Sequence, residues 1–199
     1  MLTDLPNVLT LSRIAVIPLL VALSAFRTPW ADLAACALFS AAAITDYFDG
    51  ALARSRRQQS DFGRMLDPIA DKLLVGATLM ILVGEERLSH LGLYPAIVIM
   101  LREILVSGLR EYLASIRVGL PVTGLAKWKT GFQMVALGTL LAGDSGAGLI
   151  RLGFLPITVI GECMLWIAAA LTLATGWDYL TAGVRYASAL PGARPVQPK

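Results

Sequence analysis

Four aspartates have the spacing needed to act together at one chemical site. Asp46 and Asp49 are three positions apart, and Asp67 and Asp71 are four positions apart. In a helix, both spacings place the two carboxylates of a pair on one face. Each pair lies at the edge of an apolar run, where an ionised side chain near hydrocarbon costs on the order of 3 kcal/mol and needs compensation. The two pairs therefore predict a site for positively charged ligands.

The other residue types in the chain favour divalent cations as these ligands. Two divalent cations would balance four carboxylates, and oxygen ligands without Cys or His select Mg²⁺ or Mn²⁺. Cys36, Cys163 and His90 each lie without a similar residue nearby. We interpret the cysteines as packing residues and the histidine as a solvated loop residue. Helix capping offers a simpler interpretation of Asp67, which precedes Pro68, but it does not account for both aspartate pairs.

Small residues and an arginine accompany the aspartates. Gly50 and Gly63 lack side chains, so a flat or phosphorylated ligand can approach the backbone closely at both positions. Ala53 is also small, and the guanidinium of Arg54 is suited to holding a phosphate. Paired carboxylates that bind metals, together with an arginine, are typical of phosphoryl transfer, in which metals clamp the attacking and leaving oxygens.

The rest of the chain reads as membrane-embedded helices that position these groups. Hydrophobic residues make up 56% of the chain and charged residues 16%, with a mean hydropathy of +0.68. The apolar runs are continuous rather than alternating, which favours helices over a barrel. We predict an all-α, polytopic membrane protein with six transmembrane helices over approximate residues 9–27, 31–50, 66–84, 91–113, 130–143 and 153–177.

The two ends of the chain differ from this apolar body. Residues 1–13 mix polar and apolar types and are expected to form an interfacial segment lying partly along the membrane surface. A cleaved signal peptide is the alternative there, but a basic start and a clear cleavage site are missing. We predict one membrane domain over residues 1–190 and a disordered, basic, proline-rich tail over residues 191–199.

The distribution of Lys and Arg predicts the orientation. Arg27, Arg87 and Arg151 fall on one side of the predicted spans, and most other basic residues fall on the side that also holds both termini and the aspartates. Because positively charged loops stay cytoplasmic, both termini and the aspartate segment are predicted to face the cytoplasm.

The residues from 46 to 71 form the pattern D-x-x-D-G-x-x-A-R followed by G-x-x-x-D-x-x-x-D. This pattern resembles that of the CDP-alcohol phosphotransferases, membrane enzymes that join a CDP-linked group to an alcohol and release CMP. The resemblance implies a six-helix fold that usually forms a homodimer, with a polar cavity open to the cytoplasm. It implies metal binding by Asp46, Asp49, Asp67 and Asp71, general-base catalysis by Asp71, and CDP-lipid binding by Gly50, Ala53, Arg54 and Gly63.

Three further stretches, residues 5–13, 102–114 and 126–137, resemble the branch of this family whose acceptor is glycerol 3-phosphate. Ala126 departs from that branch, which more often has glycine there. Asn7 and its neighbours Thr10 and Arg13 could line the cavity, but helix capping by Asn7 accounts for part of that pattern, so no role is assigned to them.

Basic residues in the last two of these stretches suit a phosphate group. Arg102 and Arg110 are eight positions apart on one predicted helix, about two turns, and Lys127 and Lys129 begin the next helix. We predict that all four bind the phosphate of glycerol 3-phosphate. The alternatives are an internal ion pair of Arg102 with an acidic residue such as Glu103 or Glu111, and interfacial anchoring by the two lysines.

The expected reaction transfers the phosphatidyl group of CDP-diacylglycerol to glycerol 3-phosphate and gives phosphatidylglycerophosphate and CMP. The expected location is a bacterial cytoplasmic (inner) membrane, with the bilayer and a second copy of the chain as partners and no nucleic acid. Inositol phosphate and phosphatidylglycerol remain open as alternative acceptors. A membrane prenyltransferase lacks the continuation G-x-x-A-R, and a divalent-ion transporter would need polar groups along a path through the membrane.

Overall fold

The computed structural model describes residues 5–56, 61–115 and 124–189, all of them in helices and short turns. Side chains of residues 5–9, 46–56, 61–65, 115, 178 and 182–189 lie outside this description. The prediction of an all-α fold with six helices is confirmed for the described residues. The helices are α1 (Leu5–Ala25), α2 (Pro29–Arg56), α3 (Asp61–Gly84), α4 (Leu93–Ser115), α5 (Gly124–Leu149) and α6 (Ile157–Ala189).

The helices pack around α5, which lies against α6 and α2. Helix α1 packs on α2 and α3, and α4 packs on α6. Large apolar side chains from four helices fill the centre and are at most 1% exposed: Phe39, Leu74, Leu82, Leu137 and Leu165. This apolar core lies between two polar ends of the bundle, one of which carries the aspartates.

Helix α3 begins earlier than the sequence predicted. It starts at Asp61, so Pro68 lies inside the helix and Asp67 is not its first residue. The capping interpretation of Asp67 is therefore wrong. A proline within a helix removes one backbone hydrogen bond, because it has no N–H group. Lys72, one turn after Pro68, donates from its Nζ to the Pro68 carbonyl at 2.8 Å.

Residues 5–13, expected to form an interfacial segment, are the first turns of α1 and continue directly into its apolar part. Thr10 is 1% exposed and Arg13 is 4% exposed. Thr10 and Arg13 are thus packed against the protein, because α1 lies alongside α3.

A helix that crosses a membrane must meet requirements of length and apolar composition. Among the described residues, one stretch meets them by itself, Ile157–Thr181 in α6. Within the residues whose side chains are described, the apolar parts of α1 and α2 are shorter, Thr10–Ala25 and Pro29–Thr45. The described ranges thus contain six helices, whereas six membrane spans remain a prediction.

The end of the bundle opposite the aspartates is held by Arg87. Its guanidinium forms ion pairs with Asp32 and Glu85, the latter through Nε at 2.5 Å. The same group donates to the Leu141 carbonyl at 2.7 Å. Helix α5 is kinked nearby at Gly143, where φ is 57° and ψ is 179°, and a kink frees carbonyl groups from the helical ladder. Arg87 thus joins α2, the turn after α3 and the kinked part of α5.

The predictions for the cysteines and the histidine can also be compared with the structure. Cys36 and Cys163 are both free thiols, and Cys36 packs against the apolar core. His90 is exposed in the turn between α3 and α4. Cys163 is exposed, so the packing interpretation holds for Cys36 alone, and the loop position of His90 is confirmed.

Candidate active site

Asp67 lies on α3 and is held by residues of α1. Thr10 Oγ1 donates to Asp67 Oδ1 at 2.5 Å, and an Arg13 guanidinium nitrogen lies 3.4 Å from the same oxygen. Both contacts go to Oδ1, and the Asp67 side chain keeps 41% of its surface exposed. The carboxylate is thus fixed in orientation by buried partners while it remains accessible to a ligand.

Asp71 lies one turn further along α3, on the face that Asp67 also occupies. Its carboxylate is close enough to Lys129 on α5 for an electrostatic attraction between them. Asp67 therefore faces α1, while Asp71 is linked to α5. The predicted pairing of these two aspartates on one helix face is compatible with this geometry, because i and i+4 positions lie on the same side of α3.

Glu103 on α4 joins two of the basic residues. Its Oε1 lies 3.4 Å from Arg102 NH1 and also forms an ion pair with Lys129 Nζ. Lys129 is 6% exposed. A buried charge needs a partner close by, and Glu103 provides one negative charge for both cations. The internal ion pair that the sequence left open for Arg102 is therefore present, and the interfacial-anchor interpretation of Lys129 is wrong.

A cavity of about 460 Å³ lies between α3 and α4, and its wall includes Pro68 and Lys72, the sequence neighbours of Asp67 and Asp71. Arg102 and Arg110 line it from α4, and Lys72 lines it from α3. Glu103 and Glu111 are also part of its wall. Three cationic side chains thus converge on one space large enough for a small phosphorylated molecule.

The four basic residues predicted to bind phosphate occupy different environments. Arg102 and Arg110 line the α3–α4 cavity. Lys129 is buried behind it, on Glu103. Lys127 is exposed near the start of α5 and does not belong to the described lining. The structure therefore brings Arg102 and Arg110 together at the cavity, with Lys72 as a third cation that the sequence interpretation did not include.

The remaining predicted site residues lie where the structure describes only the backbone. Residues 46–54 belong to the last turns of α2, and Gly63 belongs to the first turn of α3. The side chains at these positions lie outside the described residues. Their roles stay predictions: metal binding for Asp46 and Asp49, and CDP-lipid binding for Gly50, Ala53, Arg54 and Gly63.

The described aspartates account for part of the predicted metal site. In the part of the chain whose side chains are described, no group of three or more His, Cys, Asp or Glu residues comes together, but Asp46 and Asp49 fall outside that part. Asp67 and Asp71 supply hard carboxylate oxygens one helical turn apart, and Asp67 is partly exposed. These two residues fit half of a site for Mg²⁺ or Mn²⁺.

Helix α6 contributes residues that the sequence interpretation missed. Thr175 Oγ1 accepts a hydrogen bond from Arg102 NH2 at 2.9 Å. The ring centre of Tyr179 lies 5.8 Å from the guanidinium carbon of Arg102 and 6.0 Å from that of Arg110. The sequence contains one signal for them: Thr175 and Tyr179 are four positions apart in an apolar helix, and polar residues in such a helix usually face the protein interior.

Aspartates on one face of α3 thus lie beside a basic cavity. A comparison with known protein families agrees with this site. The sequence matches the CDP-alcohol phosphatidyltransferase family over residues 3–174. The chain belongs to this family of transferases, as the aspartate pattern predicted.

Individual relatives are similar over nearly the whole chain. A protein of Rickettsia bellii named CDP-diacylglycerol--glycerol-3-phosphate 3-phosphatidyltransferase is 45% identical, covering 92% of this chain and 97% of its own length. Proteins of the same name from Cereibacter sphaeroides and Shigella flexneri are 41% and 39% identical, covering 92% and 90% of this chain and 96% and 94% of their own lengths. The recognition made from the sequence is confirmed.

Proposed function

We propose that the protein transfers the phosphatidyl group of CDP-diacylglycerol to glycerol 3-phosphate, giving phosphatidylglycerophosphate and CMP. The observation that carries this proposal is the convergence of Arg102, Arg110 and Lys72 on one cavity beside the Asp67–Asp71 face. A doubly charged phosphate monoester is the kind of ligand that such a group of cations binds. The names of the relatives support the same pair of substrates.

The proposed chemistry begins with Asp71. Its carboxylate takes the proton from the primary hydroxyl of glycerol 3-phosphate as that oxygen attacks the β-phosphorus of CDP-diacylglycerol. A new bond forms between the glycerol oxygen and phosphorus, and the bond from phosphorus to the bridging oxygen breaks. The bonding electrons leave with the CMP oxygen. Asp71 is the proposed base because it lies one turn from Asp67, next to the basic cavity.

The other proposed roles concern binding. We assign Asp46, Asp49, Asp67 and Asp71 to two divalent cations, Mg²⁺ or Mn²⁺, which when bound would neutralise the charge of the diphosphate. Thr10 and Arg13 keep Asp67 oriented for this task. The proposed contacts with the cytidine and diphosphate of the lipid come from Gly50, Ala53, Arg54 and Gly63.

The proposed setting is a bacterial cytoplasmic membrane, crossed by six helices with both termini and the active site on the cytoplasmic side. Large apolar side chains on the outside of several helices support contact with lipid. They include Met80 on α3, Leu101 on α4 and Leu173 on α6, each more than half exposed. We further propose that two copies of the chain form a homodimer, as the family resemblance implies.

The reaction can be tested by measuring CMP release from CDP-diacylglycerol by the detergent-purified protein with Mg²⁺. Glycerol 3-phosphate, inositol phosphate and phosphatidylglycerol are compared as acceptors, and a chelator provides the metal control. Chelator-sensitive release with glycerol 3-phosphate alone is the expected result. Preferential release with inositol phosphate or phosphatidylglycerol would replace the proposed acceptor, while absence of release with all three would overturn the proposed reaction.

A further inference from the structure

Tyr179 on α6 lies behind the basic cavity and contacts both of its arginines. The guanidinium carbons of Arg102 and Arg110 lie within 6.0 Å of its ring centre. We propose that Tyr179 is a positioning residue: its ring holds these two guanidinium groups so that both are directed at the phosphate of the acceptor. The proposal rests on the proposed function, because it concerns the acceptor side of that reaction.

The ring addresses a physical problem of the cavity, which is the repulsion between two like charges. Arg102 and Arg110 both line the cavity before a phosphate has entered. The face of an aromatic ring carries negative electrostatic potential and attracts cations within about 6 Å of its centre. Tyr179 is 6% exposed, so water screens this attraction little. One ring can therefore stabilise both cations, in addition to the attraction between Arg102 and Glu103.

Other residues of α6 fix Arg102 against the same helix surface. Thr175 Oγ1 accepts a hydrogen bond from Arg102 NH2 at 2.9 Å. At Gly176, a Cβ atom would lie 3.3 Å from Arg102 Cγ and 3.5 Å from its Nε. The missing side chain lets the arginine stem lie directly on the helix. Thr175, Gly176 and Tyr179 thus form an arginine cradle on one side of α6.

Tyr179 is not among the residues described as lining the cavity. It touches the two arginines rather than the space where the acceptor is proposed to bind, so its effect on the acceptor is exerted through them. This distinguishes it from a catalytic residue and predicts that its loss changes acceptor affinity rather than the chemical step.

The test compares Tyr179→Leu, which removes the ring, with Tyr179→Phe, which keeps it. For Tyr179→Leu we expect the KM for glycerol 3-phosphate to rise about three- to thirty-fold, the range given by losing one cation–π contact. The KM for CDP-diacylglycerol and the rate at saturating acceptor should stay close to wild type. Tyr179→Phe should retain the wild-type KM. Trp177→Leu serves as the matched control, because Trp177 is on the same helix and 70% exposed.

A second variant covers the case in which Tyr179→Leu does not fold. Thr175→Val keeps the shape of the side chain but removes the hydroxyl that accepts from Arg102, and it should also raise the KM for glycerol 3-phosphate. The proposal is overturned if Tyr179→Leu, or Thr175→Val where the leucine variant is unfolded, has the wild-type KM. It is also overturned if Tyr179→Phe is as impaired as Tyr179→Leu.

Equilibrium binding of glycerol 3-phosphate, measured by calorimetry without CDP-diacylglycerol, separates this proposal from the proposed function. Ring-dependent binding without CMP release would support the positioning role and overturn the reaction. CMP release by a Tyr179→Leu protein that binds glycerol 3-phosphate as tightly as wild type would support the reaction and overturn the positioning role. Absence of binding by the wild-type protein would overturn the positioning role, while CMP release alone decides the reaction.

Discussion

Thr10 and Asp67 are 57 positions apart in the sequence and are joined by a hydrogen bond of 2.5 Å from Thr10 Oγ1 to Asp67 Oδ1. Arg13, one turn further along α1, contacts the same oxygen at 3.4 Å. Helix α1 therefore orients a carboxylate that belongs to the proposed metal site. Hydrogen-bond partners of this kind usually affect metal affinity as well as geometry.

The first prediction concerns this hydrogen bond. Thr10→Val removes the donor while keeping the volume of the side chain, so Asp67 loses its orientation. We expect the Mg²⁺ concentration for half-maximal CMP release to rise about ten-fold, in line with other outer-shell partners of metal ligands. Titration of activity with Mg²⁺ measures the effect.

Thr130→Val is the matched control for that titration. The Thr130 hydroxyl donates to the Ala126 carbonyl of its own helix and is exposed, so its loss should leave the Mg²⁺ dependence unchanged. An unaltered Mg²⁺ requirement in Thr10→Val would show that Thr10 does not support the metal site.

The second prediction concerns proton transfer by Asp71. Asp71→Asn keeps the shape of the side chain, but its amide cannot take the proton from the hydroxyl of glycerol 3-phosphate. We therefore expect kcat to fall by about 10²- to 10⁴-fold, the usual contribution of a general base. Binding of CDP-diacylglycerol, measured separately, should be affected much less. Asp144→Asn at the opposite end of the bundle provides the control, and near-normal turnover by Asp71→Asn would remove Asp71 from the role of base.

The third prediction concerns the acceptor phosphate. Arg110→Ala removes a cation from the cavity wall, and the KM for glycerol 3-phosphate should rise by about 10- to 100-fold, as expected for a charge-assisted hydrogen bond of 1.5–3 kcal/mol. The KM for CDP-diacylglycerol should change little. Steady-state kinetics with each substrate varied in turn provide the measurement.

Arg151→Ala is the control for the arginine substitution, because Arg151 is exposed in the turn between α5 and α6, away from the cavity. Equal increases in the KM values of both substrates in Arg110→Ala would contradict a phosphate pocket dedicated to the acceptor.

The fourth prediction concerns stability at the other end of the bundle. Arg87→Ala leaves the buried Asp32 carboxylate without its ion-pair partner and removes the donor to the Leu141 carbonyl. Breaking a buried ion pair typically costs about 3–5 kcal/mol, so the melting temperature in detergent should fall clearly. The rate per folded molecule at low temperature should be retained, since Arg87 lies at the end of the bundle opposite Asp67 and Asp71.

The double variant Asp32→Asn/Arg87→Ala removes the unpaired charge and should recover part of the lost stability. Arg27→Ala, which changes an exposed arginine at the same end of the bundle, should leave the melting temperature unchanged. A melting temperature of Arg87→Ala equal to that of wild type would show that the ion pairs contribute nothing to the fold.

Several features of the site could be predicted from neighbouring residues in the chain. The spacing of Asp67 and Asp71 places both on one side of a helix because a helix repeats every 3.6 residues. The family pattern is also local, because it consists of fixed spacings between residues 46 and 71 of the chain. The alternative that Asp67 caps a helix was wrong, because a local pattern before a proline cannot reveal that the helix already begins at Asp61.

By itself, the sequence determined the helical class of the described residues and the membership of the chain in a family of CDP-alcohol phosphatidyltransferases, and it predicted which aspartates carry the chemistry. The tertiary structure decided the partners of those residues: Thr10 for Asp67, Glu103 for Lys129, and Tyr179 for Arg102 and Arg110. The physical reason is that helical periodicity is a local property, whereas a contact between helices depends on the rotation and packing of each helix against the others.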